Sequence, residues 1–141
     1  MERLDTIPVV SASSPGSAVG VTGNVLPLLH EIRHALERLA RDRDPTVIDL
    51  RAIPFAPGDE ERLLSLLGRG EVSLVLSALG RSEIRESGYP GVWVVEHYND
   101  AGERIALQIE VTDIPAIARS QVADIEESST RLNDLLMNDN G

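Results

Sequence analysis

The chain has 141 residues, enough for one domain, and its 42 % hydrophobic and 26 % charged residues are an ordinary globular composition. It contains no cysteine, which excludes disulfides, thiol catalysis and thiolate-held zinc or iron–sulfur sites formed by this chain. Its formal net charge of −10 argues against nucleic acid or an anionic membrane as a partner and favours a basic one.

Residues 1–23 carry Pro8, Pro15, three glycines and a serine cluster without helical or strand period, and read as an extended arm. Glu2, Arg3 and Asp5 leave no apolar region for a secretory signal. No apolar run approaches the roughly 20 residues that cross a bilayer, so the expected compartment is the cytoplasm, with no membrane insertion. The first helix is expected over about 24–42, with Asn24 as N-cap and Val25, Leu29, Ile32, Leu36 and Leu39 forming one apolar stripe. Pro45 closes it. A short strand follows at Thr46–Leu50, then a loop with Pro54 and Pro57. A second helix is expected over about 60–68, capped by Asp59, with Glu60 and Glu61 in its first turn and Gly68 as its stop.

The period then changes to two. Val72, Leu74 and Leu76 alternate with Glu71, Ser73 and Ser77, and a second run at Glu83–Ser87 follows a turn at Leu79–Gly80–Arg81. Tyr89–Pro90–Gly91 is a turn, since proline presets φ at one corner and glycine permits positive φ at the next. Val92–Tyr98 and Arg104–Val111 are strands joined by the hairpin signal Asn99–Asp100–Ala101–Gly102. The strand–helix–strand unit from Thr46 to Ser77 needs a crossover that makes its two strands parallel. One sheet face, with Ile105, Leu107 and Ile109, is expected to receive the helices. The fold class is therefore α+β: a mixed, mostly antiparallel sheet of about five strands with helices on one face, in a single domain over 24–137. A last helix is expected at about 122–137, where Val122, Ile125, Leu132 and Leu136 keep three/four spacing interrupted by Ser129. It packs either on its own domain or on a partner. Residues 138–141 read as a frayed tail, and Pro115 suits a first helical turn.

Chemistry-bearing motifs are few. All thirteen basic residues are arginine, so a lysine Schiff base and a P-loop lysine are excluded. His30–Glu31–Ile32–Arg33–His34 matches H-E-x-x-H, which on a helix sets two imidazoles on one face to bind zinc with Glu31 as general base. Catalytic zinc also needs a third protein ligand, which His97, Glu60 or Glu61 could supply only through the fold. Helical phase places His30, His34, Glu37 and Arg41 opposite the apolar stripe, the layout of a solvated face with Glu37 and Arg41 paired. Trp93 and Tyr98 fall on opposite faces of one strand, so one of them points away from the main core. From Glu110 onward, seven acidic residues face two arginines, which concentrates half of the net charge there.

Asn24–Leu39 (NVLPLLHEIRHALERL), TVIDL, GRGEVS at Gly68–Ser73, SEIRESGYPGVWVVE at Ser82–Glu96 and IEVTDIP at Ile109–Pro115 together resemble the hydrogenase expression/formation protein HupH/HyaF family. The resemblance covers roughly 24–137 and corresponds to the C-terminal half of members about twice this length. It implies accessory work in [NiFe]-hydrogenase maturation, without substrate turnover or a cofactor. The implied role is that of a chaperone for the small, iron–sulfur-bearing subunit precursor, with its twin-arginine export signal; other maturation proteins and a second copy, as a homodimer, are further expected partners. On this view Gly70 and Glu71, Tyr89, Pro90, Gly91 and Trp93, and Glu110 with Asp113 form the client surface. The plainer alternative is that the glycines fix backbone turns and Trp93 serves packing. The competing reading remains a zinc hydrolase built on His30 and His34, or a generic interaction domain.

Overall fold

The computed structural model describes residues 23–139; the expected arm lies outside these apart from Gly23, as do the last two residues of the expected tail. Helix α1 spans Val25–Asp42 and buries Val25, Leu28, Ile32 and Ala35. Leu29, Leu36 and Leu39 pack at the margin of that line, so the buried stripe sits slightly to one side of the expected one. Asn24 occupies the N-cap position but does not cap; its amide donates to the Pro54 carbonyl at 2.9 Å and ties the helix start to a distant loop. Arg43 closes the helix in the left-handed region (φ 60°), its N–H reaching the Leu39 carbonyl.

Strand β1 is Thr46–Asp49, and Leu50 turns the chain into a short 3-10 turn. Helix α2 spans Asp59–Leu67. Its N-cap is Gly58 rather than Asp59, which is fully buried and accepts a bond from the Ala56 N–H behind it. The three carboxylates Asp59, Glu60 and Glu61 nevertheless occupy the first turn, where the helix dipole favours them.

Four further strands follow: β2 (Ser73–Ala78), β3 (Gly80–Glu86), β4 (Val92–Tyr98) and β5 (Arg104–Val111). The sheet order is β1-β5-β4-β3-β2, and every adjacent pair is antiparallel. The α+β class holds. The crossover through α2 does leave β1 and β2 running in the same direction, but it delivers them to opposite edges with three strands between. No parallel pair forms, so the sheet is antiparallel throughout rather than mixed.

Helices α1 and α2 cover one face of this sheet. Leu28, Ile32, Ala35, Leu63 and Leu67 meet Val92, Val94, Leu107, Ile109 and Val111 there, with Leu50 and Ile48 closing the β1 side. Burying a side chain of this size contributes roughly 1.5–3 kcal/mol, so this cluster carries most of the hydrophobic stabilisation. Ile105 does not join it and is 58 % exposed. The β4–β5 register shifts at His97/Tyr98, pairing His97 with Ala106 but Tyr98 with Arg104, and Ile105 is the extra residue left over.

The opposite sheet face has its own small cluster of Ile84, Trp93 and Val95, flanked by Leu74 and Leu76. Trp93 is thus the aromatic that points away from the main core. After β5, Pro115 is buried and precedes a 3-10 turn at Ala116–Ala118 instead of opening an α-helix. Helix α3 runs from Val122 to Asp139 without a break at Ser129 and takes in the first residues of the expected tail. None of its residues is buried, so it is not packed on its own domain among the described residues.

Candidate partner-binding surfaces

The loop after α2 and the turn before β4 are pinned to each other. Gly70 donates its N–H to the Glu86 carbonyl at 2.8 Å, and Gly88 donates to the Leu67 carbonyl at 2.8 Å. A Cβ on Gly70 would stand 2.5 Å from the Ser87 carbonyl oxygen and 2.6 Å from Glu86 Oε1, so glycine is required for close backbone approach. Exposed Glu71 hangs its own N–H on the same Glu86 carboxylate. Tyr89–Pro90–Gly91 is a β-turn closed by Val92 N–H to the Tyr89 carbonyl at 2.9 Å, with Gly91 at φ 98° as a type II turn demands. The Ser87 hydroxyl accepts the Tyr89 N–H and fixes the turn from within.

Two clefts flank this turn. Gly70, Glu71, Glu86 and Pro90 border one. The other, about 330 Å³, lies between α1 and α2 and is walled by Leu29, Leu36, Leu66 and Tyr89 with Arg33 at its rim. Tyr89 is 54 % exposed there. Sequence reasoning did not foresee this apolar cleft. The available signal was Leu66, one step off the Leu63/Leu67 line of α2 and therefore left at the surface.

The acidic corner adjoins the turn. Thr112 donates its N–H to the Gly91 carbonyl at 2.9 Å, placing Glu110–Asp113 directly beside Tyr89–Gly91. Glu110 and Asp113 share a cavity of about 370 Å³ with Arg43 and Arg119. Their carboxyls differ in kind. Burial raises Glu110 above its ordinary value, only partly offset by the field of His97. Asp113 is lowered, chiefly by the Ile114 N–H at 2.8 Å, with help from Thr112 and Arg119.

Trp93 takes no part in the exposed surface. It is 5 % exposed, and its indole N–H donates to the Thr112 carbonyl at 3.1 Å. Its contribution is to hold the corner from beneath, as the packing alternative has it. Of the other motif residues, Gly70, Glu71 and Pro90 border one cleft, Tyr89 the apolar cleft between the helices, and Glu110 and Asp113 the acidic cavity.

The H-E-x-x-H residues are elsewhere. His30, Glu31 and His34 are exposed on the outer side of α1. Arg33 beside them pairs with Glu37 at 3.0 Å, and Arg41 pairs with Asp42 instead of Glu37. His97 is on the far face of the sheet, 2.7 Å from the Ser82 hydroxyl, and Glu60 binds Arg104. Among the described residues no three His, Cys, Asp or Glu side chains gather as a metal site. No helix among them is long and apolar enough to cross a membrane.

A partly buried charge network anchors α2 to the sheet. Arg104 bridges Glu60 at 2.9 Å and Glu96 at 3.1 Å, and Arg85 reaches Glu96 at 2.9 Å. Burial alone would raise the Glu96 carboxyl, but hydrogen bonds from Arg104 and Arg85 hold it below its ordinary value.

Fold and surface together define a small α+β domain whose motif residues border open clefts at one end of the strands of an antiparallel sheet. The chain belongs to the HupH family of hydrogenase expression proteins: the family model "HupH hydrogenase expression protein, C-terminal conserved region" matches residues 22–138. It is 34 % identical over 117 residues to the hydrogenase expression/formation protein HoxQ of Azotobacter vinelandii, an alignment covering 79 % of this chain and 40 % of that protein. It is 35 % identical over 123 residues to HupH of Rhizobium leguminosarum bv. viciae, covering 86 % and 43 % respectively. The chain thus spans about two fifths of the length of these curated relatives. The solved structure of the hydrogenase expression protein HupH from Thiobacillus denitrificans superposes with a TM-score of 0.78 at 42 % identity, covering 84 % of this chain and 98 % of that one.

Proposed function

We propose that this chain is an accessory protein of [NiFe]-hydrogenase maturation that holds the small, iron–sulfur subunit precursor before export and performs no bond-making itself. The observation that carries the reading is the joining of Tyr89–Gly91 to Glu110–Asp113 through the Gly91–Thr112 hydrogen bond, in a chain of this family. That junction sets an exposed aromatic and an apolar cleft beside carboxylates, a combination suited to a segment with apolar and arginine side chains. The net charge of −10 supports it, since long-range attraction speeds encounter with a basic segment and weakens with salt. Without cysteine the chain offers no thiolate to a cluster, so its service is to shield or present the client. The site of action on this reading is the cytoplasm, where an unexported precursor resides, and other maturation proteins are further partners.

The test is co-purification of the small-subunit precursor with wild type and with Tyr89→Ala, at low and high salt. Retention by wild type at low salt, lost on Tyr89→Ala and reduced by salt, is the expected result. Wild-type retention by a folded Tyr89→Ala protein rejects the surface, and no retention by wild type at any salt rejects the client.

A further inference from the structure

Helix α3 leaves a large apolar surface without a partner among the described residues. Val122 is 71 % exposed, Ile125 55 %, Leu132 60 %, Leu135 62 % and Leu136 58 %. Most helical stability in proteins comes from packing an apolar face, so a surface of this kind on the 18-residue α3 calls for cover.

We propose that α3 pairs in parallel with α3 of a second copy of this chain, as a short two-stranded coiled coil. The occupant follows from the spacing. Val122, Ile125, Ser129, Leu132 and Leu136 alternate steps of three and four, the a and d positions of consecutive heptads. The a positions are Val122, Ser129 and Leu136 and the d positions Ile125, Leu132 and Asp139, so four of the six seam positions are apolar.

Charge placement agrees. Asp124, Glu127, Arg131 and Asp134 occupy the c and f positions, which face away from the seam, and Glu126 at e faces Gln121 of the other copy, so opposed carboxylates meet only at Asp139, the last residue of the helix. Orientation follows from the layers. In parallel pairing Val122, Ile125, Leu132 and Leu136 each meet their own equivalents, and only Ser129 and terminal Asp139 form polar layers. Antiparallel pairing sets Val122 against Asp139 and Leu132 against Ser129, leaving fewer apolar layers.

Side chains of this size and exposure bury roughly 100 Å² apiece, on the order of 1,000 Å² for the pair, at the small end of specific interfaces. An interface of this size is expected to dissociate on dilution. The pairing needs no client, so its test is independent of the chaperone reading.

The experiment uses the full chain alone. Sedimentation from about 1 to about 200 μM is expected to give a monomer–dimer equilibrium. Leu132→Asp abolishes the dimer, while Ser129→Leu, which fills the polar layer, tightens it by about tenfold or more. Because the chain has no cysteine, single introduced thiols read the geometry directly. Val122→Cys and Ser129→Cys form disulfide-linked dimers on mild oxidation, whereas Glu127→Cys on the outer face does not. A wild-type protein and a Ser129→Leu variant that both remain monomeric overturn the proposal. A dimer that survives Leu132→Asp overturns it too, and cross-linking of Glu127→Cys as readily as Ser129→Cys overturns the register. Cross-linking at position 129 without position 122 overturns the parallel orientation.

Discussion

Gly91 and Thr112 stand 21 positions apart in the chain, yet the Gly91 carbonyl accepts the Thr112 N–H at 2.9 Å. The bond continues the β4–β5 ladder past its last paired residues, Val92 and Val111, and welds a glycine turn to an acidic corner. Trp93 bonds the Thr112 carbonyl from the opposite side, so both polar groups of that peptide segment are satisfied in a buried place.

The first prediction concerns Gly91. At φ 98° a side chain is strained, and a Cβ would also stand 3.2 Å from Leu36 Cδ2. Gly91→Ala is expected to lose about 1–3 kcal/mol, while Gly102→Ala, at φ 83° with nothing within 4 Å, loses about 1 kcal/mol from backbone strain alone. Urea denaturation of both variants measures the difference; equal losses would show that the Leu36 contact is irrelevant.

Gly70 tests a different use of glycine. Its backbone is not in the left-handed region, so only the missing space beside Ser87 and Glu86 opposes a side chain. Gly70→Ala should cost about 1–3 kcal/mol, because the Ser87 obstacle is backbone and cannot swing aside. A thermal midpoint matching wild type would refute this reading.

For Trp93, removal and trimming separate two contributions. Trp93→Ala opens a cavity between Ile84 and Val95 and is expected to cost about 3–5 kcal/mol. Trp93→Phe retains most of the packing but orphans the Thr112 carbonyl, at about 1–3 kcal/mol. As the chain has one tryptophan, fluorescence reports unfolding of wild type without a label, and circular dichroism serves for the variants.

Glu96 and Glu110 should respond to pH with opposite sign. Glu96 is lowered in the folded state, so it contributes stability above its unfolded value of about 4.3, lost as pH falls through the folded one. Glu96→Gln is therefore destabilised at pH 7, with the deficit shrinking in acid. Glu110 is raised by burial, so its contribution is present below the unfolded value and lost as pH rises through the folded one. Glu110→Gln is accordingly more stable than wild type at pH 7, and the gain vanishes near pH 4. Urea titrations at the two pH values decide both; a Glu110→Gln protein less stable at neutral pH contradicts the account.

Local rules explain why much of the fold was legible. The β-turn at Tyr89–Gly91 follows from proline and glycine adjacency, and the Asn99–Gly102 hairpin closes with Asn99 Oδ1 accepting from both Ala101 and Glu103. Where local rules failed, another partner won, distant in the chain for Asn24 and as near as the expected one for Asp59 and Glu37. Asn24 gave up its cap for Pro54, Asp59 turned back to Ala56, and Glu37 took Arg33 in place of Arg41. In each case the expected partner was near in sequence, but the fold offered another donor or acceptor at equal reach.

The candidate surface divides in the same way. Its glycines and its aromatic could be picked from motif and turn chemistry, but Trp93 could not be assigned to packing until Ile84 and Val95 were seen beside it. The apolar cleft of Leu29, Leu36 and Leu66 was invisible because its walls come from two helices whose relative placement no periodicity encodes.

By itself the sequence determined the element order, the α+β class, the absence of thiol chemistry and the acidic character, because these depend on composition, period and neighbouring residues. Only the tertiary structure decided that β1 and β2 stand at opposite edges, that Ile105 bulges out to solvent, and that α3 buries nothing. Strand order, register shifts and helix docking are fixed by contacts between residues far apart in the chain, and hydrophobic period specifies which face is apolar without specifying what covers it.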